Sequence, residues 1–128
     1  MKKVLLMMLS VLAIAFTSCK VEDANVTAYV ADQDGAPVER CYVFYIDKAS
    51  YILDAVLPSP ETLLTGDNYS DWSYVVTNKL GFADIKVPLA VSKAKFYFFA
   101  YDEINKKWYD KEVTLRKGEN EPIEFYFK

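Results

Sequence analysis

Val26-Thr27-Ala28-Tyr29-Val30-Ala31-Asp32-Gln33-Asp34-Gly35-Ala36-Pro37-Val38 is the stretch that decides the class of fold. Val26, Ala28 and Val30 recur at every second residue, the period of a β-strand with one buried face. Asp32 to Pro37 then reverses the chain: Gly35 accepts a positive φ, and Asp34-Gly35 is a strong hairpin signal. A strand pattern running into a turn, and out of it into another strand, is the unit that the rest of the chain repeats.

Downstream, Val38 to Asp47 places Cys41, Val43 and Tyr45 on one face and Tyr42, Phe44 and Ile46 on the other. A strand that is apolar on both faces belongs in the middle of a sheet. Residues 48–71 read as an insertion, because Leu57-Pro58-Ser59-Pro60 breaks any ladder. Within it, Ser59 predicts the cap of one short helical turn that starts at Pro60, runs through Thr62-Leu63-Leu64 and stops near Gly66. Strand patterns return at Trp72–Thr77, Phe82–Val87, Lys95–Tyr101 and Trp108–Leu115, and around Ile123, Phe125 and Phe127. Turns fall at Asn78–Gly81, Glu103–Lys106 and Gly118–Pro122. Seven strands with almost no helix predict an all-β domain over residues 25–128, a single seven-stranded Greek-key β-sandwich of prealbumin-like or Ig-like type.

Upstream the pattern changes. Met1-Lys2-Lys3 precedes an apolar run from Val4 to Phe16, followed by Thr17-Ser18-Cys19. As a helix that run spans only about 20 Å, short of the ~30 Å of a bilayer core, so it reads as the apolar part of a cleavable export signal. Phe16-Thr17-Ser18-Cys19 resembles the lipobox of bacterial lipoproteins, with phenylalanine where leucine is usual. The resemblance implies a signal peptide over 1–18 and a diacylglyceryl group on the sulfur of Cys19, with palmitate-type acylation anchoring the chain in a membrane. An ordinary cut after Ala15 is the rival, since Ala13-Ile14-Ala15 is small-x-small. Residues 19–24 then form a lipidated tether. Its Lys20-Val21-Glu22-Asp23 resembles the stretch that sends some lipoproteins to the outer face of the outer membrane, although a plain solvated tether reads the same way. The expected location is the cell envelope, as an outer-membrane lipoprotein that is periplasmic or surface-exposed.

Two segments resemble the prealbumin-like (transthyretin-like) sandwich, a fold also seen in carboxypeptidase regulatory-like domains. One is the opening stretch from Val26 to Val38; the other is Thr77-Asn78-x-x-Gly81-Phe82-x-x-Ile85. The insertion at 48–71 departs from that pattern. The resemblance implies a fold and no chemistry, and domains of this type serve as folding, adhesion or ligand-presenting modules.

Composition narrows the function. Residues 19–128 number 110, the size of one small domain, and losing Lys2 and Lys3 takes the net charge from −3 to −5. Such an acidic domain has no general attraction for nucleic acid phosphates or anionic lipid headgroups. The chain has no histidine, which removes the commonest general base and zinc ligand. With Cys19 acylated, Cys41 stands alone and no internal disulfide forms, so the core holds the domain together with aromatic side chains as its main material.

The most ligand-like loop is Gly66-Asp67-Asn68-Tyr69-Ser70-Asp71-Trp72. Asp67, Asn68 and Asp71 offer oxygens of the kind calcium takes, and Tyr69 and Trp72 offer rings for a sugar. A polar loop whose aromatics pack onto the sandwich explains the same residues, and no metal site or cofactor is assigned. Asp32 and Asp34 read as turn formers, and Cys41 as an inert core residue. Phe96–Tyr101 has aromatics on both faces, which fits a partner surface or a strand lying between the core and the insertion. No acidic pair sits in a recognisable glycosidase setting. The expectation is a non-catalytic module for protein interaction or assembly at the envelope, with carbohydrate binding as the alternative and hydrolysis a distant third.

Overall fold

The computed structural model describes residues 20–51, 57–65 and 72–128. Among the described residues seven strands form two facing sheets: β1 (Glu22–Ala31), β2 (Tyr42–Asp47), β3 (Ser73–Val76), β4 (Phe82–Leu89), β5 (Lys93–Asp102), β6 (Lys107–Arg116) and β7 (Asn120–Tyr126). The order is β4-β1-β7 in one sheet and β3-β2-β5-β6 in the other. All pairs are antiparallel except β1 with β7, where the first and last strands lie side by side and parallel. Around the sandwich β2, β3 and β4 follow one another and β1 returns beside β4, a Greek-key path. The immunoglobulin constant order puts the first two strands in one sheet, whereas here β1 and β2 lie in opposite sheets.

The two-residue periodicity sets which side chains meet between the sheets. Val26, Ala28 and Val30 of β1, Ala83, Ile85, Val87 and Leu89 of β4, and Ile123 and Phe125 of β7 point inward. Cys41, Val43, Phe98, Ala100 and Leu115 oppose them from the other sheet, and Tyr45 stacks on Phe98 at 5.7 Å. As the two-faced pattern required, β2 lies between β3 and β5.

A second core lies outside the four-stranded sheet. Phe44 and Ile46 of β2 and Tyr97 and Phe99 of β5 are buried on the outer face, beneath Leu63 of the short helix α1 (Pro60–Thr65). The Trp108 indole donates to the Pro58 carbonyl (3.0 Å), which ties the insertion to β6. At the head of α1 the Leu63 amide bonds the Ser59 carbonyl, and the Ser59 hydroxyl meets that of Thr62 at 3.1 Å.

Two boundaries differ from the sequence reading. β1 begins at Glu22, so Glu22–Ala24 are strand and not tether; Glu22 pairs with Leu89 and Asp23 with Pro88. β4 continues through Pro88 to Leu89, which is tolerated because β4 is an edge strand and a proline there need not donate to a neighbour. Pro122 stands likewise on β7, the opposite edge of the same sheet.

Candidate functional site

The loops at one end of the sandwich are built from the two motifs found in the sequence, and the motifs interlock. Asp32 follows β1 and its Oδ1 accepts the amides of Asp34 (2.9 Å) and Ala36 (3.0 Å), while Gly35 takes φ +83°. The chain then folds back so that the Val38 amide bonds the Val30 carbonyl and the Val30 amide bonds the Gly81 carbonyl, both at 2.9 Å. Gly81 has φ +81°, and a Cβ there would stand 2.6 Å from the Val30 carbonyl oxygen and 3.0 Å from Pro37. Only glycine fits that contact. The buried Thr77 hydroxyl donates to the Val38 carbonyl (2.6 Å) and accepts the Cys41 amide (2.9 Å), and Asn78 Oδ1 accepts the amides of Leu80 and Phe82.

These loops surround an open cleft of about 570 Å³, lined by residues 32–34, 37–41, 101–105 and 127–128. The Asp32, Asp102 and Asn105 side chains in its lining are engaged in turns. The buried Asp102 carboxylate accepts the amides of Ile104 and Asn105 and the Asn105 side chain, which holds it in a turn at the cleft wall. Burial pushes the Cys41 thiol up to about 12, far from a reactive thiolate, and its sulfur lies 3.5 Å from the Tyr101 carbonyl. Among the described residues no group of three or more acids or cysteines is placed to hold a metal ion.

The outer face of the three-stranded sheet offers more. Phe82 on β4 is the register partner of Tyr29 on β1, and their rings lie 4.8 Å apart. Tyr126 on β7 meets Tyr29 edge-on at 6.3 Å, so the three aromatics form a row across the sheet. Phe82 and Tyr126 are 42% and 49% exposed, and Leu80 beside Phe82 in sequence is 68% exposed. A polar border follows: Thr27 and Asp84 touch at 3.4 Å, and the Glu124 carboxylate accepts the Tyr126 hydroxyl at 2.9 Å, which raises the phenol above its ordinary value. No described segment covers the row. Aromatic side chains ringed by polar groups are the composition of a protein contact surface.

Of the loop singled out in the sequence, Asp67, Asn68, Tyr69 and Asp71 lie outside the described residues, as does Cys19. Trp72 is half-buried, 5.3 Å from the Phe99 ring and 5.8 Å from Tyr51, within the second core. Phe96 and Phe98 turn to the main core while Tyr97 and Phe99 turn to the second one, so β5 lies between core and insertion. The row escaped sequence reasoning because its members sit on three strands separated by long stretches. Their outward positions were readable one by one, but the register joining them was not.

No family model matches the sequence, and no curated protein matches it. Among solved structures, the Bacillus anthracis TIE protein superposes with a TM-score of 0.51 at 11% identity, covering 82% of this chain and 16% of that one. At that identity the likeness concerns the fold alone, a β-sandwich, and the chain spans only a small part of that protein's length.

Proposed function

We propose that this chain is an exported, lipid-anchored binding module without catalytic machinery, whose uncovered aromatic row docks a protein partner at the cell envelope. The export signal and the cysteine at its end, Cys19, support the anchor; the anchor holds the sandwich as an outer-membrane lipoprotein. The finer fold is prealbumin-like: the Asp-Gly-x-Pro turn and the Asn-x-x-Gly turn are the two resembling segments, and they clasp each other through Val30 and Gly81.

The observation that carries the docking role is the Phe82–Tyr29–Tyr126 row on a sheet face that no described segment covers. The glycan alternative has less behind it, because the rings tilt by 42° and 68° to one another and form no flat stacking platform. A photo-crosslinking residue at Phe82 or Tyr126 in intact cells should capture one discrete protein, and the same residue at Ile104 should not. Capture of the same species from all three positions, or of none, overturns the docking role. The anchor is tested separately: Cys19→Ala should move the chain out of the membrane fraction or leave its precursor uncleaved. A variant that is processed and fractionates like the parent overturns it.

A further inference from the structure

We propose that the end of the sandwich next to Cys19 docks on anionic phospholipid headgroups, so that the domain leans on its four-stranded sheet and turns the aromatic row away from the bilayer. This rests on the lipid-anchor reading above, and it assigns that anchor a second, electrostatic component.

The first support is the lack of slack. One residue after Cys19, the Lys20 carbonyl accepts the Lys117 ammonium at 2.6 Å. Glu22 is paired with Leu89, and the Asp23 carbonyl accepts the Gly118 amide at 3.0 Å. Three residue steps separate Cys19 from β1, at most about 10 Å of chain. The turns at 90–92 and 117–119 flank this end, since β4 and β6 both finish here. An acylated Cys19 therefore holds both turns close to the headgroups, within about a Debye length at physiological salt.

The second support is the chemistry of that end. Val21 and Val91 are 56% and 58% exposed, small apolar groups suited to the headgroup boundary. On the outer face of the four-stranded sheet Lys93 lies directly across from Arg116. Like charges in that position repel, and neither residue has an ion pair among the described residues. Lys95 follows on the same face, sharing Glu112 (3.8 Å) with Lys48, which holds it at 2.9 Å. Glu22, Asp23 and Glu119 lie on β1 or in the turn entering β7, both on the other sheet, while Glu121 of β7 lines a shallow recess together with Arg116. A lipid phosphate would relieve the Lys93–Arg116 repulsion. A basic patch beside an acyl anchor adds to membrane attachment.

The test uses the lipidated chain in phosphatidylcholine vesicles, with or without phosphatidylglycerol, carrying a fluorophore at Val91→Cys or at Ile104→Cys. Cys41 stays unlabelled because it is buried. With phosphatidylglycerol present, a headgroup spin-label should quench the probe at 91 several-fold more than the probe at 104, in the exposed turn at the far end. Arg116→Glu and high salt should each reduce that difference. Arg116→Glu also places opposite charges across the ladder, so loss of quenching in that variant does not arise from a weakened fold. Equal quenching at the two positions, or quenching indifferent to phosphatidylglycerol and to Arg116→Glu, overturns the proposal. Flotation of the same samples reads the anchor. A chain that does not float overturns the anchor and this proposal together, whereas a floating chain with equal quenching overturns the docking alone.

Discussion

The two outer faces of this sandwich begin alike and end differently. Each carries aromatic side chains at outward strand positions: Phe44, Tyr97 and Phe99 on the four-stranded sheet, Tyr29, Phe82 and Tyr126 on the three-stranded one. On the first face α1 of the insertion and Trp72 just after it lie over the rings and Leu63 closes the cluster, leaving Phe44 only 1% exposed. On the second face no described segment arrives, and Phe82 stays 42% exposed. The residue types are shared, so it is the presence of a covering segment that turns an aromatic face into core. Where no described segment lies over them, the same side chains stay partly exposed.

The comparison breaks most sharply if both faces respond alike to truncation. Phe44→Ala removes a fully buried ring from the covered face and should cost about 3–5 kcal/mol, a large share of the stability of a domain this size. Urea denaturation of Phe44→Ala beside Phe82→Ala checks it. Phe82→Ala should lie well below that, because its ring is already partly in water. Equal losses would mean that the second face is also covered in the working protein.

The next largest effect concerns the turn that feeds the uncovered row. Gly81→Ala forces a side chain into φ +81° and against the Val30 carbonyl, and should cost roughly 2–3 kcal/mol. Gly35→Ala has a similar φ of +83° but meets nothing within 4 Å, and should cost about 1 kcal/mol. Thermal midpoints of the two variants separate strain from collision. Because Phe82 follows Gly81 directly, the first variant should also weaken capture at the row, and the second should not.

Much of this arrangement was legible in advance. Val26-x-Ala28-x-Val30 and Ala83-x-Ile85-x-Val87 declared their buried faces, and the double-sided apolar pattern of Tyr42–Ile46 announced a central strand. The start of β1 was not legible, because Glu22 and Asp23 join the ladder through backbone groups and their exposed side chains carry no alternation. Pro88 hid the end of β4, since a proline reads as a break unless the strand is known to lie at an edge. The candidate loop drew notice because its polar and aromatic residues are contiguous. The row did not, because Tyr29, Phe82 and Tyr126 become neighbours only when β4, β1 and β7 pair in register.

A smaller effect sharpens the comparison from the exposed side. Replacing Tyr29, Phe82 and Tyr126 together by Thr, a residue that suits strands, should change stability by only about 1–2 kcal/mol, less than Phe44→Ala alone. Crosslinking of the partner should be lost in that variant, read from neighbouring Leu80. Retained capture would place the partner elsewhere on the molecule.

The smallest effect lies where the cover begins. Lys48, in the short 3₁₀ turn that opens the insertion, donates to Glu112 of β6 at 2.9 Å. The hydrogen bond to Lys48 lowers the Glu112 carboxyl below its ordinary value, and the same bond raises the Lys48 ammonium above its own. For the depressed carboxyl, stability is present above its unfolded value and is lost as pH falls through the folded one; for the raised ammonium, it is present below its unfolded value and is lost as pH rises through the folded one. The pair therefore acts from above about pH 4.5 to below about pH 10.5, the ordinary values of the two groups. Both side chains face solvent, so Glu112→Gln should lower the thermal midpoint only slightly at neutral pH, and the difference should vanish in acid and at high salt. A pH-independent loss would mean that Glu112 contributes through packing. The cover would then rest on its aromatic contacts and the Trp108–Pro58 bond, with no help from the ion pair at its edge.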